Sequence, residues 1–141
     1  MSMSKAKNHP CLNCEQSDMV LRTKDVTIEL DGLARVVPKV KGWHCPACGE
    51  IEFIGDGSAK RYTAALDSLA TERDALQREE LARIRKRLKL TQAQAAAIAG
   101  GGPNAFSRYE RGKARPVAAV VNLFRLLDKH PELLAELRSA I

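Results

Sequence analysis

Aromatic side chains are scarce in this sequence. Phenylalanine, tyrosine and tryptophan together make up 4% of the 141 residues, although hydrophobic residues as a whole reach 45%. The hydrophobic content argues against a disordered chain, but so little aromatic bulk leaves only small cores for a length that suits two small domains. We therefore expect at least one part of the chain to need a cross-link for its stability.

Long apolar runs and a secretory leader are also missing. No stretch of 18 or more apolar residues is present, so no transmembrane helix is expected. The lysines among residues 1–7 are not followed by an apolar stretch, so no secretory signal is expected either. These absences predict a cytoplasmic protein in a reducing compartment, without a membrane partner. Cysteines in such a protein bind metal more often than they form disulfides.

The first part of the chain lacks an excess of charge of either sign. Residues 1–60 contain eight Lys and Arg against eight Asp and Glu, whereas residues 61–141 contain 15 against nine. The second part thus carries the whole formal net charge of +6. This asymmetry predicts a basic part that binds a polyanion such as nucleic acid, joined to a neutral part with another role.

Strand-like patterns are confined to the first part. Residues 19–31 are rich in β-branched side chains, and Asp31-Gly32 is typical of a hairpin turn. Residues 33–40 resume a strand, in which Pro38 predicts an edge or bulged position. A third short strand is expected at residues 51–54.

Helical patterns occupy the rest of the chain. Residues 59–99 contain neither glycine nor proline, and their composition is strongly helical. Their apolar stripe slips out of phase between Leu76 and Leu81, which indicates a boundary between two packing environments. The positions that form the stripe before the slip are Tyr62, Leu66, Leu69 and Leu76. The pattern leaves open whether the helix bends at the slip or continues.

All four cysteines fall in two C-x-x-C pairs, Cys11 with Cys14 and Cys45 with Cys48. Two intervening residues let both thiolates of a pair reach one tetrahedral ion, and the predicted hairpin fills the gap between the pairs. We interpret the pairs as a four-thiolate zinc site. Iron in the same geometry and a redox dithiol are the alternatives, although a redox C-x-x-C usually occurs once, before a helix.

The predicted zinc site has a structural role. Four thiolates close the coordination shell, so no position remains for an activated water, and one Zn²⁺ per chain is expected to supply the missing cross-link. His9 and His44 lie close to the pairs in sequence. They are expected to lie beside the site or face solvent rather than to bind the metal.

The second part contains the pattern of a helix-turn-helix. A helix capped by Thr91, a glycine-rich turn at residues 100–104 and a second helix closed by Gly112 describe this motif. On a helical wheel Asn104 and Arg108 share one face, and Phe106 lies opposite, toward a core. One face can then enter a major groove while the other packs.

Each polar side chain of this motif has an expected role on DNA. Asn104 and Arg108 are predicted to read bases, because an amide pairs with adenine and a guanidinium with guanine. Four further side chains are placed for contacts with the DNA backbone: Gln92, Ser107, Arg111 and Lys113. The alternative is a merely solvated helix face, which the neighbouring basic run of residues 83–89 disfavours.

The predicted fold is therefore two small domains. An N-terminal α+β zinc-binding domain of ribbon or knuckle type, residues 11–76, is expected after a disordered tail of residues 1–10. A C-terminal all-α helix-turn-helix domain is expected at residues 77–141.

In its helix-turn-helix and cysteine motifs the sequence resembles a known family. The stretch GGGPNAFSRYERG at residues 100–112, followed by LLDKHPELL at residues 126–134, is similar to the MqsA-type antitoxins of type II toxin-antitoxin systems. In these, a zinc-binding N-terminal domain precedes an Xre-like helix-turn-helix, and the likeness covers nearly the whole chain. It implies zinc ligands at the four cysteines and base-reading residues at Asn104 and Arg108.

The resemblance also implies partners. The N-terminal domain would bind and neutralise an MqsR-type ribonuclease toxin, and the C-terminal domain would form a homodimer that represses its own operon at a palindromic operator in double-stranded DNA. Leu133, Leu134 and Leu137 exceed what one small helical domain must cover, in line with a dimer interface.

The sequence departs from the family pattern at three places. About ten residues precede the first cysteine, and Pro103 stands where an aliphatic residue is expected. Residues 70–90 contain no helix breaker, although the family is expected to have a proline-containing linker there.

Two other functions compete with the antitoxin interpretation. The first is a stand-alone zinc-ribbon helix-turn-helix regulator of transcription without a toxin partner. The second is an enzyme that uses the cysteine pairs for redox or metal chemistry. Only three histidines and no nucleophile-base or paired-carboxylate pattern are present, so the protein is not expected to be an enzyme.

Overall fold

A computed structural model describes residues 8–140 of the chain. The chain divides into two compact units, one up to Ala70 and one from Thr71 onward, compared with the boundary at residues 76 and 77 expected from the sequence. Residues 1–7, which make up most of the predicted disordered tail, lie outside the described residues. Within the described part, Pro10 already forms an antiparallel bridge with Asp18.

The first unit is built on a three-stranded antiparallel sheet. Its strands are β1 (Val20–Leu30), β2 (Leu33–His44) and β3 (Ile51–Phe53), in the spatial order β1-β2-β3. Leu30 pairs with Leu33, so β1 and β2 are joined by the two residues Asp31 and Gly32, which both have positive φ. This is the geometry in which Asp-Gly closes a hairpin, as the sequence predicts.

A bulge accommodates the proline inside β2. Pro38 and Lys39 together face the single residue Asp25 of β1, where the register shifts. Lys39 has a φ of 51°, and its backbone N–H donates to the Asp25 carboxylate at 3.0 Å. β2 is the central strand of the sheet, so the predicted edge position is wrong and the predicted bulge is correct. A proline in a central strand is tolerated because the bulge removes the need for its missing N–H.

The first unit also contains the start of helix α1, which spans Ser58–Arg87. Leu69 is fully buried in a small apolar core with Ile28, Val37 and Val40 of the sheet. Leu66 of the predicted stripe is 38% exposed. The core between the sheet and α1 therefore has four buried residues, against which partly buried residues pack. Its small size agrees with the shortage of aromatic side chains.

The second unit is helical throughout. After the remainder of α1 follow four short helices: α2 (Gln92–Ala99), α3 (Ala105–Glu110), α4 (Ala118–Lys129) and α5 (Leu133–Ser139). Thr91 caps α2 with a complete capping box, in which its hydroxyl accepts from the Gln94 N–H and the Gln94 side chain accepts from the Thr91 N–H. The core of the second unit is larger than that of the first and includes Phe106 and Phe124, both fully buried.

The predicted fold class is confirmed. A three-stranded sheet that carries four clustered cysteines precedes a helical region, as two small domains require. The phase slip in the apolar stripe falls within one uninterrupted helix: Leu69 packs in the first unit, whereas Leu81 and Ile84 pack in the second. Among the described residues, no helix combines the length and apolar character needed to cross a membrane.

Candidate metal centre and nucleic-acid interface

The two cysteine pairs lie together in the first unit. All four sulfur atoms are within 4.8 Å of one another. The Sγ atoms of Cys11 and Cys48 are 3.7 Å apart, and those of Cys14 and Cys45 are also 3.7 Å apart. A tetrahedral ion with metal–sulfur bonds of about 2.3 Å requires sulfur atoms about 3.8 Å apart. The four thiols are thus clustered closely enough to hold one metal ion, and two of their spacings already match a tetrahedral site.

Each pair sits in a tight turn held by backbone hydrogen bonds. In the first turn the Glu15 N–H donates to the Cys11 carbonyl at 2.9 Å, and in the second the Gly49 N–H donates to the Cys45 carbonyl at 3.0 Å. Glu15 and Gly49 both have positive φ, at 56° and 79°. Glycine adopts this conformation without strain, which explains Gly49 after the second pair. The sheet brings the turns together, because Cys45 follows directly on β2 and the first turn precedes β1.

The thiols differ in acidity because their surroundings differ. Backbone N–H groups of Cys48 and Ala47 lower the pKa of Cys45 to about 6. The Gln16 N–H lowers the pKa of Cys14, but burial and the hydrogen bonds with the neighbouring thiols outweigh it and raise that pKa to about 11. Four thiols in mutual contact cannot all ionise at neutral pH unless a cation neutralises their charge. The donor set thus suits a divalent ion that prefers thiolate.

The two nearby histidines are engaged in other contacts. The imidazole of His9 stacks on the Trp43 indole, with centroids 4.1 Å apart and planes within 2°, and its Nε2 lies 2.6 Å from the Glu52 carboxylate. The buried His44 donates from Nε2 to the Val40 carbonyl at 3.1 Å. Neither histidine belongs to the cluster of potential ligands. Both histidines instead contact residues of the sheet beside the thiols.

Helices α2 and α3 of the second unit carry the residues predicted to contact DNA. Phe106 is fully buried, with its ring 4.8 Å from that of Phe124, so it anchors α3 to the core. Asn104 and Arg108 are exposed, and their side chains make no hydrogen bond or ion pair to any of residues 8–140. α3 therefore has one packed face, and the unpartnered polar side chains are Arg108 on α3 and Asn104 at the N-cap position just before it.

The four side chains predicted at the DNA backbone surround this face. Arg111 and Lys113 are exposed, and Ser107 is half-buried. Gln92, at the start of α2, donates one amide hydrogen to the Glu110 carboxylate at 2.6 Å. Its second amide hydrogen remains to donate to a phosphate or a water, and its oxygen remains to accept from a water.

A network that the sequence patterns do not reveal fixes the two helices. Arg85 of α1 holds Glu110 of α3 with both its Nε, at 2.5 Å, and Nη2, at 3.2 Å. It also donates to the Leu90 carbonyl just before α2, at 2.9 Å. Burial raises the pKa of Glu110, but the hydrogen bonds from Arg85 and Gln92 outweigh it and bring the pKa below its ordinary value. The network joins α1, α2 and α3 through a single carboxylate.

The leucines assigned to a dimer interface differ in burial. Leu134 lies in the core of the second unit, and Leu137 packs against that core. Leu133 is 37% exposed, and Leu126 of α4 is 49% exposed. Leu134 and Leu137 therefore belong to the packing of the second unit itself, whereas Leu133 and Leu126 are exposed.

Comparison with known proteins bears on the identity of this chain. Residues 9–138 match the profile of a family described as the antitoxin component of a bacterial toxin-antitoxin system, MqsA. The chain is also 37% identical over 130 residues to the antitoxin MqsA of Escherichia coli (strain K12), a match that covers 91% of this chain and 98% of that relative. The resemblance seen in the helix-turn-helix and cysteine motifs is thereby confirmed, and membership implies a toxin partner. The chain belongs to the MqsA family, the antitoxin components of bacterial toxin-antitoxin systems.

Proposed function

We propose that this antitoxin neutralises an MqsR-type ribonuclease toxin through its first unit and represses its own operon through its second. The observation that carries the DNA-binding part is the exposed, unpartnered pair Asn104 and Arg108 on a helix anchored by buried Phe106. An uncommitted amide and guanidinium on a fixed helix are what base reading needs, because no internal bond must break first.

Base reading is assigned to two side chains. Asn104 can donate to and accept from the N7 and N6 edge of adenine, and Arg108 can donate to O6 and N7 of guanine. Each such bidentate pair discriminates by about 1–3 kcal/mol against a wrong base. The remaining contacts, from Gln92, Ser107, Arg111 and Lys113, go to phosphates and set the position of α3 in the groove.

The metal of the first unit is zinc in this proposal. The sulfur spacing, the tetrahedral fit and the amide-supported turns suit the Zn²⁺ ion with Cys11, Cys14, Cys45 and Cys48 as ligands. When bound, the ion supplies a cross-link between the strand ends rather than a reaction. The small core of this unit makes that cross-link necessary.

The toxin partner is assigned to the first unit. Its described surface carries several large apolar side chains in water, of which Leu12, Val36 and Leu21 are the most exposed, at 81%, 57% and 51%. The unit has a balanced charge, so a protein partner suits it better than a polyanion does.

Dimerisation is assigned to the second unit. A palindromic operator presents two half-sites, which a two-fold symmetric dimer reads with two copies of α3. The exposed leucines Leu126 and Leu133 lie on the last two helices of this unit and are proposed to meet their counterparts in the partner. Because operator DNA lies in the bacterial cytoplasm, the repressor acts there.

One experiment with two readouts tests this function. The full chain is mixed with the protein encoded next to its gene, and RNA cleavage is followed together with binding to the DNA upstream of the gene. Suppression of cleavage at a one-to-one ratio and preference for the upstream duplex over a random one are expected. A regulator without a toxin would keep the second property and lack the first, and loss of both would overturn the proposal.

A further inference from the structure

A small cavity of about 230 Å³ in the second unit has a strongly cationic lining. It lies between the part of α1 around Arg78 and the loop that follows α3. Three of its lining residues carry positive charge and one carries negative charge: Arg78, Lys113 and Arg115 against Asp74. Gln77 and Tyr109 complete the polar lining, and the Tyr109 hydroxyl makes no hydrogen bond to any described residue.

The single carboxylate of this cavity is already engaged. Asp74 accepts from Arg115 at 3.2 Å and from Arg73 at 2.8 Å. Arg78 is half-buried, yet within residues 8–140 it has no hydrogen bond and no ion pair. A guanidinium that is partly withdrawn from water without a carboxylate is a position that an anion stabilises.

Gly112 makes room for the guanidinium of Arg78. Its φ is +72°, in the region that favours glycine. A Cβ at this position would lie 2.5 Å from Nη1 and 3.3 Å from Cζ of Arg78. Any other residue would therefore strain the backbone and also push the guanidinium away. The absence of a side chain here allows Arg78 to lie against the loop that directly follows α3.

We propose that this cavity binds a phosphate group, and that the group belongs to the DNA backbone beside the bases read by α3. This inference rests on the DNA-binding function proposed above. Guanidinium and ammonium groups are the donors that phosphate oxygens prefer, and a phenol can add a further hydrogen bond. The loop continues from α3 without a break, so a duplex that holds α3 in its major groove has its backbone beside the loop.

The salt dependence of DNA binding measures this contact. Arg78→Gln in the full chain is expected to weaken binding about tenfold at low salt, on operator and random duplexes alike. The slope of log K against log salt is expected to fall by about 0.9 for the lost phosphate. Arg78→Lys retains the charge and is expected to restore most of the slope, which a merely structural role of the side chain would not predict.

Arg138→Gln is the matched control. Arg138 is exposed on α5, does not line this cavity and loses the same charge on substitution. It is expected to leave the slope unchanged. Equal slopes for the wild type and Arg78→Gln would overturn the DNA contact. An equal fall of the slope in Arg78→Gln and Arg138→Gln would show a general effect of net charge and would overturn the DNA contact as well.

Inorganic phosphate separates DNA from a soluble phosphate compound as the source. Titration of the free full chain is followed through the backbone amide resonances of Gly112, Lys113 and Ala114. Shifts that vanish in Arg78→Gln, combined with unchanged DNA slopes, would assign the cavity to a soluble phosphate and overturn the DNA contact. If neither the slopes nor the resonances depend on Arg78, the phosphate site itself is wrong. Failure of the wild type to prefer its operator would instead refute the proposed function. The titration would then still show whether the cavity binds phosphate.

Discussion

The two units of this antitoxin are stabilised in different ways. In the first, four buried residues form the apolar core under the sheet, and a separate cluster around Cys11, Met19 and Cys45 surrounds the thiols. In the second, eleven buried residues form one continuous core with two phenylalanines at its centre. Each unit thus holds three of the six aromatic residues, but only Phe106 and Phe124 of the second unit are fully buried, whereas the potential metal ligands all lie in the first.

The difference fits the function proposed for each unit. To read DNA as proposed, the second unit needs a rigid α3, and a packed core with the Arg85–Glu110 pair holds α3 without a ligand. The first unit has exposed apolar side chains, which are proposed to meet the toxin, and only a few buried ones in its interior. A metal cross-link stabilises such a unit without further apolar residues.

Metal removal is expected to give the largest separation between the units. Chelation, or Cys45→Ser in the full chain, is expected to unfold the first unit, because structural zinc contributes about 10–16 kcal/mol to folding. Trp43 is the only tryptophan and packs beside the thiols, so its fluorescence reports the first unit alone. Helical circular dichroism and DNA binding report the second unit and are expected to persist.

The control for the ligand substitution lies in the same turn. Ala47→Ser alters an exposed position between Cys45 and Cys48 and removes no sulfur, so Trp43 fluorescence should not change. If the fluorescence of metal-free protein keeps its native spectrum, the first unit folds without the ion and the contrast between the units is wrong.

Truncation of one phenylalanine in each unit tests the contrast at the level of packing. Phe106→Ala removes a fully buried ring and is expected to lower the free energy of unfolding of the second unit by about 3–5 kcal/mol. Phe53→Ala removes a ring that is 37% exposed and lies 5.3 Å from the Tyr62 ring in a tilted arrangement. It is expected to lower the free energy of unfolding of the first unit by about 1 kcal/mol and to leave that of the second unit unchanged. Urea unfolding followed by circular dichroism and by Trp43 fluorescence measures both, and equal costs would contradict the contrast.

The features predicted correctly from the sequence are those with local signatures. The C-x-x-C spacing, the Asp31-Gly32 turn, the Thr91 cap and the inward position of Phe106 each depend on residues a few positions apart. The Glu110 pair with Arg85 spans 25 residues, and Arg78 and Gly112 are still further apart in sequence, so no periodicity indicates either contact. Leu66 and Leu76 of the predicted stripe are exposed as well, at 38% and 49%, because helical spacing places a side chain on a face but does not say whether another element covers that face.

Substitution of the base-reading arginine sharpens the comparison inside the second unit. Arg108→Ala is expected to cost about 1–3 kcal/mol on the operator and to abolish most of the preference over random DNA. Non-specific, salt-sensitive binding should remain, and so should toxin binding by the first unit. Arg111→Ala is the matched variant, because an arginine at a phosphate should weaken binding to both duplexes by a similar factor. Competition binding with the two duplexes measures this, and equal loss for Arg108→Ala would contradict base reading.

The smallest expected effect concerns the ion pair that joins the three helices, and it depends on pH. The pKa of Glu110 in the folded chain lies below its ordinary value of 4.5, so the carboxylate stabilises the second unit at neutral pH, and this contribution disappears as the pH falls below about 4.5 through the depressed value. Glu110→Gln is expected to cost about 1–2 kcal/mol at pH 7, because the charge is lost while an acceptor for Arg85 remains. The variant should be less sensitive to acid in that range than the wild type.

The control for this prediction is Glu80→Gln, which removes the same charge from the more exposed pair with Arg125. It should lower the free energy of unfolding by less than about 1 kcal/mol. Urea midpoints followed by circular dichroism from pH 3 to pH 7 measure both effects. Parallel pH profiles for the wild type and Glu110→Gln would show that this carboxylate does not hold the helices together, and that the core alone orients α3.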